Sequence, residues 1–227
     1  MIINPYLYTS TPSIVTTSLR LHLDAGNSSS YPGTGTTWTD LTGNGYNATL
    51  SGGVTYSSSN GGILIYDGVD DVATSSLSKT ALANVSGKWT IQFWVYISGS
   101  QTSVGVFQMA DGLNSANPWL LLQRQNDTTI RWYVNGSYRI TNTITTNTWY
   151  NLAISYDGTT VKFFTNGVQE STTYVGGLGG NGGASTYLAN GFNGNLNGRM
   201  PHILAYTTDL TQSQLQQNFD AIKSRYI

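Results

Sequence analysis

Residues 149–158 read Trp149-Tyr150-Asn151-Leu152-Ala153-Ile154-Ser155-Tyr156-Asp157-Gly158. Tyr150, Leu152, Ile154 and Tyr156 alternate with Trp149, Asn151, Ala153 and Ser155, the period of two that sends successive side chains to opposite faces of a strand. The run stops at Asp157-Gly158, and a further run stops at Asn166-Gly167. Both pairs tolerate the positive φ of two-residue turns, so the segment predicts strands joined by tight hairpins.

The same pattern extends upstream. Residues 90–97 place Ile91, Phe93, Val95 and Ile97 on one face and Thr90, Gln92, Trp94 and Tyr96 on the other. Ile130, Trp132 and Val134 alternate with Arg131 and Tyr133 before a third turn pair, Asn135-Gly136. Short β-branched and aromatic runs between recurrent turn signals predict an all-β, two-sheet antiparallel sandwich. One helix is expected near the end. Thr211 with Gln214 fits a capping box, and Leu215, Phe219 and Ile222 follow on one helical face, with Lys223 and Arg225 complementing the C-terminal dipole.

Residues 1–18 read as an N-terminal arm, interrupted by Asn4-Pro5 and Thr11-Pro12 and carrying Tyr6, Leu7 and Tyr8 as apolar handles. Such an arm is an edge strand, a frayed terminus or a docking element for a neighbouring subunit, so a homo-oligomer joined through it is one expectation. Residues 1–17 lack the cationic start and apolar run of a secretory signal. No stretch approaches the roughly 18 apolar residues of a membrane span. If the protein works outside a cell, in a virion or extracellular setting, it leaves by a route other than that signal, and release inside a virus particle is one such route.

Composition excludes several classes. Charged residues are 9% of the chain and the net charge is −1, which gives no basic patch for a nucleic-acid backbone. There is no cysteine, hence no disulfide framework and no thiolate metal site. The glycine-rich stretch 176–183 lacks the Lys-Ser/Thr of a phosphate loop and reads as a surface loop.

Several blocks, in order, resemble the laminin-G-like jelly-roll family, which shares the concanavalin A-like fold. They begin with Leu19-Arg20-Leu21-His22-Leu23-Asp24-Ala25 and Trp38-Thr39-Asp40-Leu41-Thr42-Gly43-Asn44-Gly45. Ile65-Tyr66-Asp67-Gly68-Val69-Asp70-Asp71, Thr90-Ile91-Gln92-Phe93-Trp94-Val95 and the hairpin at 149–168 follow. Phe192-Asn193-Gly194, residues 198–206 and residues 210–226 close the match, which spans 19–227. An inserted Asn195-Leu196-Asn197-Gly198 and Pro201 depart from the family pattern and predict an irregular final strand. The chain is similar in flavour to jelly-roll proteins encoded by tailed phages. That resemblance implies a virion protein that decorates a capsid or joins an appendage, with virion structural proteins as partners. The alternative is a lectin-like module that binds glycans without a virion.

The same fold hosts glycoside hydrolases, which use two carboxyl groups about 5 to 9.5 Å apart. Glu170 is the sole glutamate, with no carboxylate two positions away, and the fold's Glu-x-Asp-x-x-Glu pattern is absent. Asp70 and Asp71, in an extended strand, would point to opposite faces and could not pair. No enzyme is expected. His22 and His202 have no second histidine nearby in sequence and read as surface or hydrogen-bonded structural residues.

Sugar binding calls for aromatic faces and planar polar groups, and the chain has 15 Tyr and 6 Trp. The candidate ligand-binding residues are Trp94, Tyr96, Arg131, Tyr133 and Phe164 on strands, with Trp119 and Tyr187 on loops. Calcium is the cofactor that the resemblance implies. Asp24, Asp40, Asp67, Asp70, Asp71 and Asp157 offer hard oxygen near turns, and Asp70 and Asp71 are the candidate ligands. Asp40, Asp67 and Asp157 could equally cap turns by bonding their own backbone.

Overall fold

A computed structural model describes residues 12–227 except 84–86, 117, 135 and 177–182. Along the chain run β1 (Leu19–Asp24), β2 (Thr37–Trp38), β3 (Ala48–Ser51), β4 (Thr55–Ser57), β5 (Ile63–Asp67) and β6 (Val72–Ser75). After α1 (Lys79–Ala83) come β7 (Trp89–Ile97), β8 (Val104–Ala110), β9 (Leu120–Asn126), β10 (Thr129–Val134) and β11 (Ser137–Thr143). The second half holds β12 (Trp149–Tyr156), β13 (Thr160–Thr165), β14 (Val168–Val175), β15 (Ser185–Leu188), β16 (Asn190–Gly191), β17 (Gly194–Asn195) and β18 (Asn197–Tyr206). Helix α2 (Gln212–Ile222) and a 3₁₀ turn (Lys223–Arg225) end it.

Two eight-stranded antiparallel sheets face each other. The first runs β14-β13-β12-β7-β18-β5-β4, with β1 also pairing β18; the second runs β11-β10-β9-β8-β15-β6-β3-β2. Ile91, Phe93, Val95 and Ile97 enter the core between them, beside Leu152, Ile154, Phe107 and Trp132, as the alternation requires. The hairpin β13–β14 turns on Asn166 and Gly167, at φ 52° and 81°, the left-handed values that favour this pair. Asn135 and most of the 176–183 loop lie outside the described residues.

Helix α2 has the expected capping box, Thr211 with Gln214. It packs on the outer face of the first sheet, where a buried amide network seats it. Gln92 Nε2 donates to Asn151 Oδ1 (2.6 Å) and to the Leu215 carbonyl (3.1 Å). Asn218 Nδ2 donates to Gln92 Oε1 and to the Tyr206 hydroxyl, while Asn218 Oδ1 accepts from the Val15 N–H. The end of the N-terminal arm is therefore tied to the domain at Ser13 and Val15, whose carbonyls accept from Gln217 and Tyr206. Residues 1–11, with the apolar handles, lie outside the described residues. The final strand shifts register against β7 between Arg199 and His202, at Met200-Pro201. No helix among the described residues is long and apolar enough to cross a membrane.

Candidate functional site

Where α2 ends, the outer face of the first sheet opens into a cleft of about 360 Å³. Ser57, Ser59, Asn60, Ile63, Ile65, Tyr96, Trp149 and Arg199 line it. Pairing assembles it rung by rung: Tyr96 lies opposite Trp149 of β12 on one side and Arg199 of β18 on the other, and Arg199 lies opposite Ile65 of β5. The Tyr96 and Trp149 rings sit 5.3 Å apart, tilted, and the Arg199 guanidinium stacks 4.2 Å from the Tyr96 centroid. Stacking engages the guanidinium face and leaves its N–H rim for other partners. Asn60 closes the wall, its Nδ2 donating to the Arg225 carbonyl (3.0 Å).

Of the sequence-predicted ligand residues, only Tyr96 lines this cleft. Trp94, on the same strand face, is fully buried: Phe219 stacks on it at 5.4 Å and Tyr226 closes at 4.8 Å, so the C-terminal segment occupies the surface a ligand would need. Trp119 is 2% exposed and packs in the core against Trp89, 5.2 Å away. Phe164 lies in the cluster under α2, and Tyr187 packs with Val72 and Ala110. Arg131 and Tyr133 are half-buried on the outer face of the second sheet, on the other side of the sandwich. Arg131 donates twice to Gln123 Oε1 and lies 3.7 Å from the Tyr138 centroid, while Tyr133 meets Tyr138 edge-on. They cannot share a groove with Tyr96. Trp149 and Arg199 were missed because neither alternation nor composition reveals which strands become neighbours.

Two clusters of potential metal ligands occur among the described residues. In the first, Asp67, Asp70 and Asp71 each bring a carboxylate oxygen within 4.8 Å of the others. The expected divergence of Asp70 and Asp71 does not hold, because the chain bends through residues 68–70 instead of staying extended. Asp71 is 2% exposed; its Oδ2 accepts the Asp67 N–H at 2.8 Å, and its Oδ1 is buried without a partner. Burial raises the Asp71 carboxyl pKa, and the neighbouring Asp67 and Asp70 charges add to that, against the Asp67 bond.

The second cluster is His22, Asp24 and His202. Isolation of the two histidines does not hold either: their ring centroids are 5.2 Å apart. Burial lowers the pKa of both, pushing His202 down to about 3. Asp24 lies below its ordinary value although burial alone would raise it, because His202 and Arg225 stabilise the charged form. The Arg225 guanidinium grips it with two N–H bonds of 2.8 and 3.0 Å.

A family model described as the concanavalin A-like lectin/glucanases superfamily, of laminin-G type, matches residues 66–216. The chain belongs to that superfamily. No curated protein matches its sequence. Solved structures share the fold. A sialidase from Trypanosoma rangeli aligns with TM-score 0.73 at 14% identity, over 94% of this chain and 34% of that one. The receptor-binding domain of a botulinum neurotoxin C/D mosaic serotype aligns with TM-score 0.67 at 14% identity, over 90% of this chain and 51% of that one. This superfamily member thus spans about a third to a half of those chains. At that identity the likeness concerns the sandwich alone.

Proposed function

We propose that the chain is a non-catalytic carbohydrate-binding module whose ligand seats in the Tyr96–Trp149–Arg199 cleft. The supporting observation is the single cross-strand rung that sets two aromatic rings beside a guanidinium, with Ser57, Ser59 and Asn60 on the rim. Tyr96, the partly exposed ring, takes the apolar face of a pyranose, backed by Trp149, which is 9% exposed and packs 4.6 Å from Tyr226, while the hydroxyls, amide and guanidinium take the sugar's oxygens. Among the described residues the lining includes no carboxylate, and the acid pair of glycoside hydrolysis is not met by them. The fold's presence in a toxin receptor-binding domain is compatible with a recognition role.

Two further features complete the reading. Asp67, Asp70 and Asp71 would hold calcium, which would satisfy the Asp71 oxygen that has no partner among the described residues. The similarity to phage-encoded jelly rolls supports display on a virion, with the arm as the attachment. Val15 is tied to α2 through its N–H bond to Asn218 Oδ1.

A glycan array probed with the full chain, followed by calorimetry on any hit, tests the site. Tyr96→Ala and Arg199→Ala are each expected to weaken binding at least about tenfold, or 1.4 kcal/mol, whereas Tyr133→Ala leaves it unchanged. An array without a binder, or binding indifferent to both cleft variants, overturns the proposal. Deleting residues 1–11 separates the two roles: glycan binding persists, while self-association or particle attachment is lost.

A further inference from the structure

The cleft does not use the histidines that meet where β1 pairs with β18. That pairing sets Asp24 opposite His202 and His22 opposite Leu204, so two histidines remote in sequence meet edge to face. One donor atom from each of His22, Asp24 and His202 lies within 4.8 Å of the other two. In each imidazole, Nε2 is buried and has no hydrogen-bond partner among the described residues, a costly state for a polar nitrogen.

Asp24 retains capacity to share. Its Oδ1 accepts from the Gly26 N–H and Arg225 Nη2, and its Oδ2 from Arg225 Nη1. A carboxylate has about four lone-pair sites, so Oδ2 keeps one. Asp24 and His202 are 8% and 2% exposed, while His22 is half-buried and is the member of the cluster nearest solvent. Imidazole nitrogen with one carboxylate suits zinc and its neighbours; calcium and magnesium favour all-oxygen shells.

We propose that His22, Asp24 and His202 form a site for a divalent transition-metal ion, zinc foremost. The ion cross-links β1 to β18 and, through Asp24 and Arg225, ties both to the C-terminal turn. The nearby guanidinium charge opposes the ion, so affinity falls below that of a four-ligand structural zinc site.

Zinc titrated calorimetrically into the tag-free, chelator-stripped full chain is expected to bind at one equivalent, and cobalt(II) to give visible d–d absorption. His22→Gln, at the half-buried position, should keep the near-UV circular dichroism of the fold and weaken zinc at least about tenfold. His202→Gln should do the same if it folds. Asp71→Asn should leave zinc binding intact, which separates this site from the carboxylate cluster. A folded chain with no zinc heat and no cobalt band overturns the proposal, as does zinc binding unchanged in His22→Gln.

Discussion

Asp71 illustrates how a single residue's surroundings decide its chemistry. One oxygen is satisfied by the Asp67 N–H, the other is buried without a partner, and two more carboxylates stand beside it. A cation there would relieve both the desolvation and the repulsion that raise its pKa. Millimolar calcium is therefore expected to raise the melting temperature by about 1–6 °C, for a dissociation constant of about 0.1–1 mM and a chain of this size. Asp71→Asn should abolish that shift, and a wild-type melt indifferent to calcium removes this ligand set. Nothing in an Asp-Asp dipeptide announces convergence. Only the bend through residues 68–70 turns neighbours that would diverge in a strand toward a common point.

At the scale of elements, α2 and β7 depend on each other. The outward phase of β7 carries Gln92 and Trp94, and α2 covers both, through Asn218 on the first and Phe219 on the second. Asn218→Ala would strand the Val15 N–H and Gln92 Oε1 in a buried site. That should destabilise the chain by about 2–4 kcal/mol in urea unfolding, whereas removing the exposed cap in Thr211→Ala costs about 1 kcal/mol. Equal effects would show that the network does not anchor the helix. Much of this element was legible: Thr211 and Gln214 foretold the cap, and Leu215 and Phe219 the buried stripe. Which strand face received that stripe was not, so Trp94 read as a sugar platform while it was the helix's seat.

Across the whole molecule, the buried histidines make stability depend on pH. His202 is pushed down to about 3 from an ordinary 6.5, chiefly by burial, so below pH 6.5 the unfolded chain binds a proton that the folded chain refuses. Its contribution is fully present above pH 6.5 and is lost as pH falls toward 3; His22 and Asp24, also lowered, act in the same direction. Asp71, raised, acts oppositely. Urea titration in chelator should show about 3 kcal/mol lost between pH 7 and pH 4 from His202 alone, and stability that stays level over that range contradicts the burial. Alternation, turn pairs and the ordered family blocks sufficed for the all-β class, the core face of β7 and the terminal helix, because those signals are local and repeat every two or 3.6 residues. Tertiary structure alone decided that Tyr96 meets Trp149 and Arg199, that Trp119 is core, and that His22 finds His202. Such contacts depend on which strands pair and in what register, and strand order within a sheet is set by the packing of the entire chain rather than by any one segment.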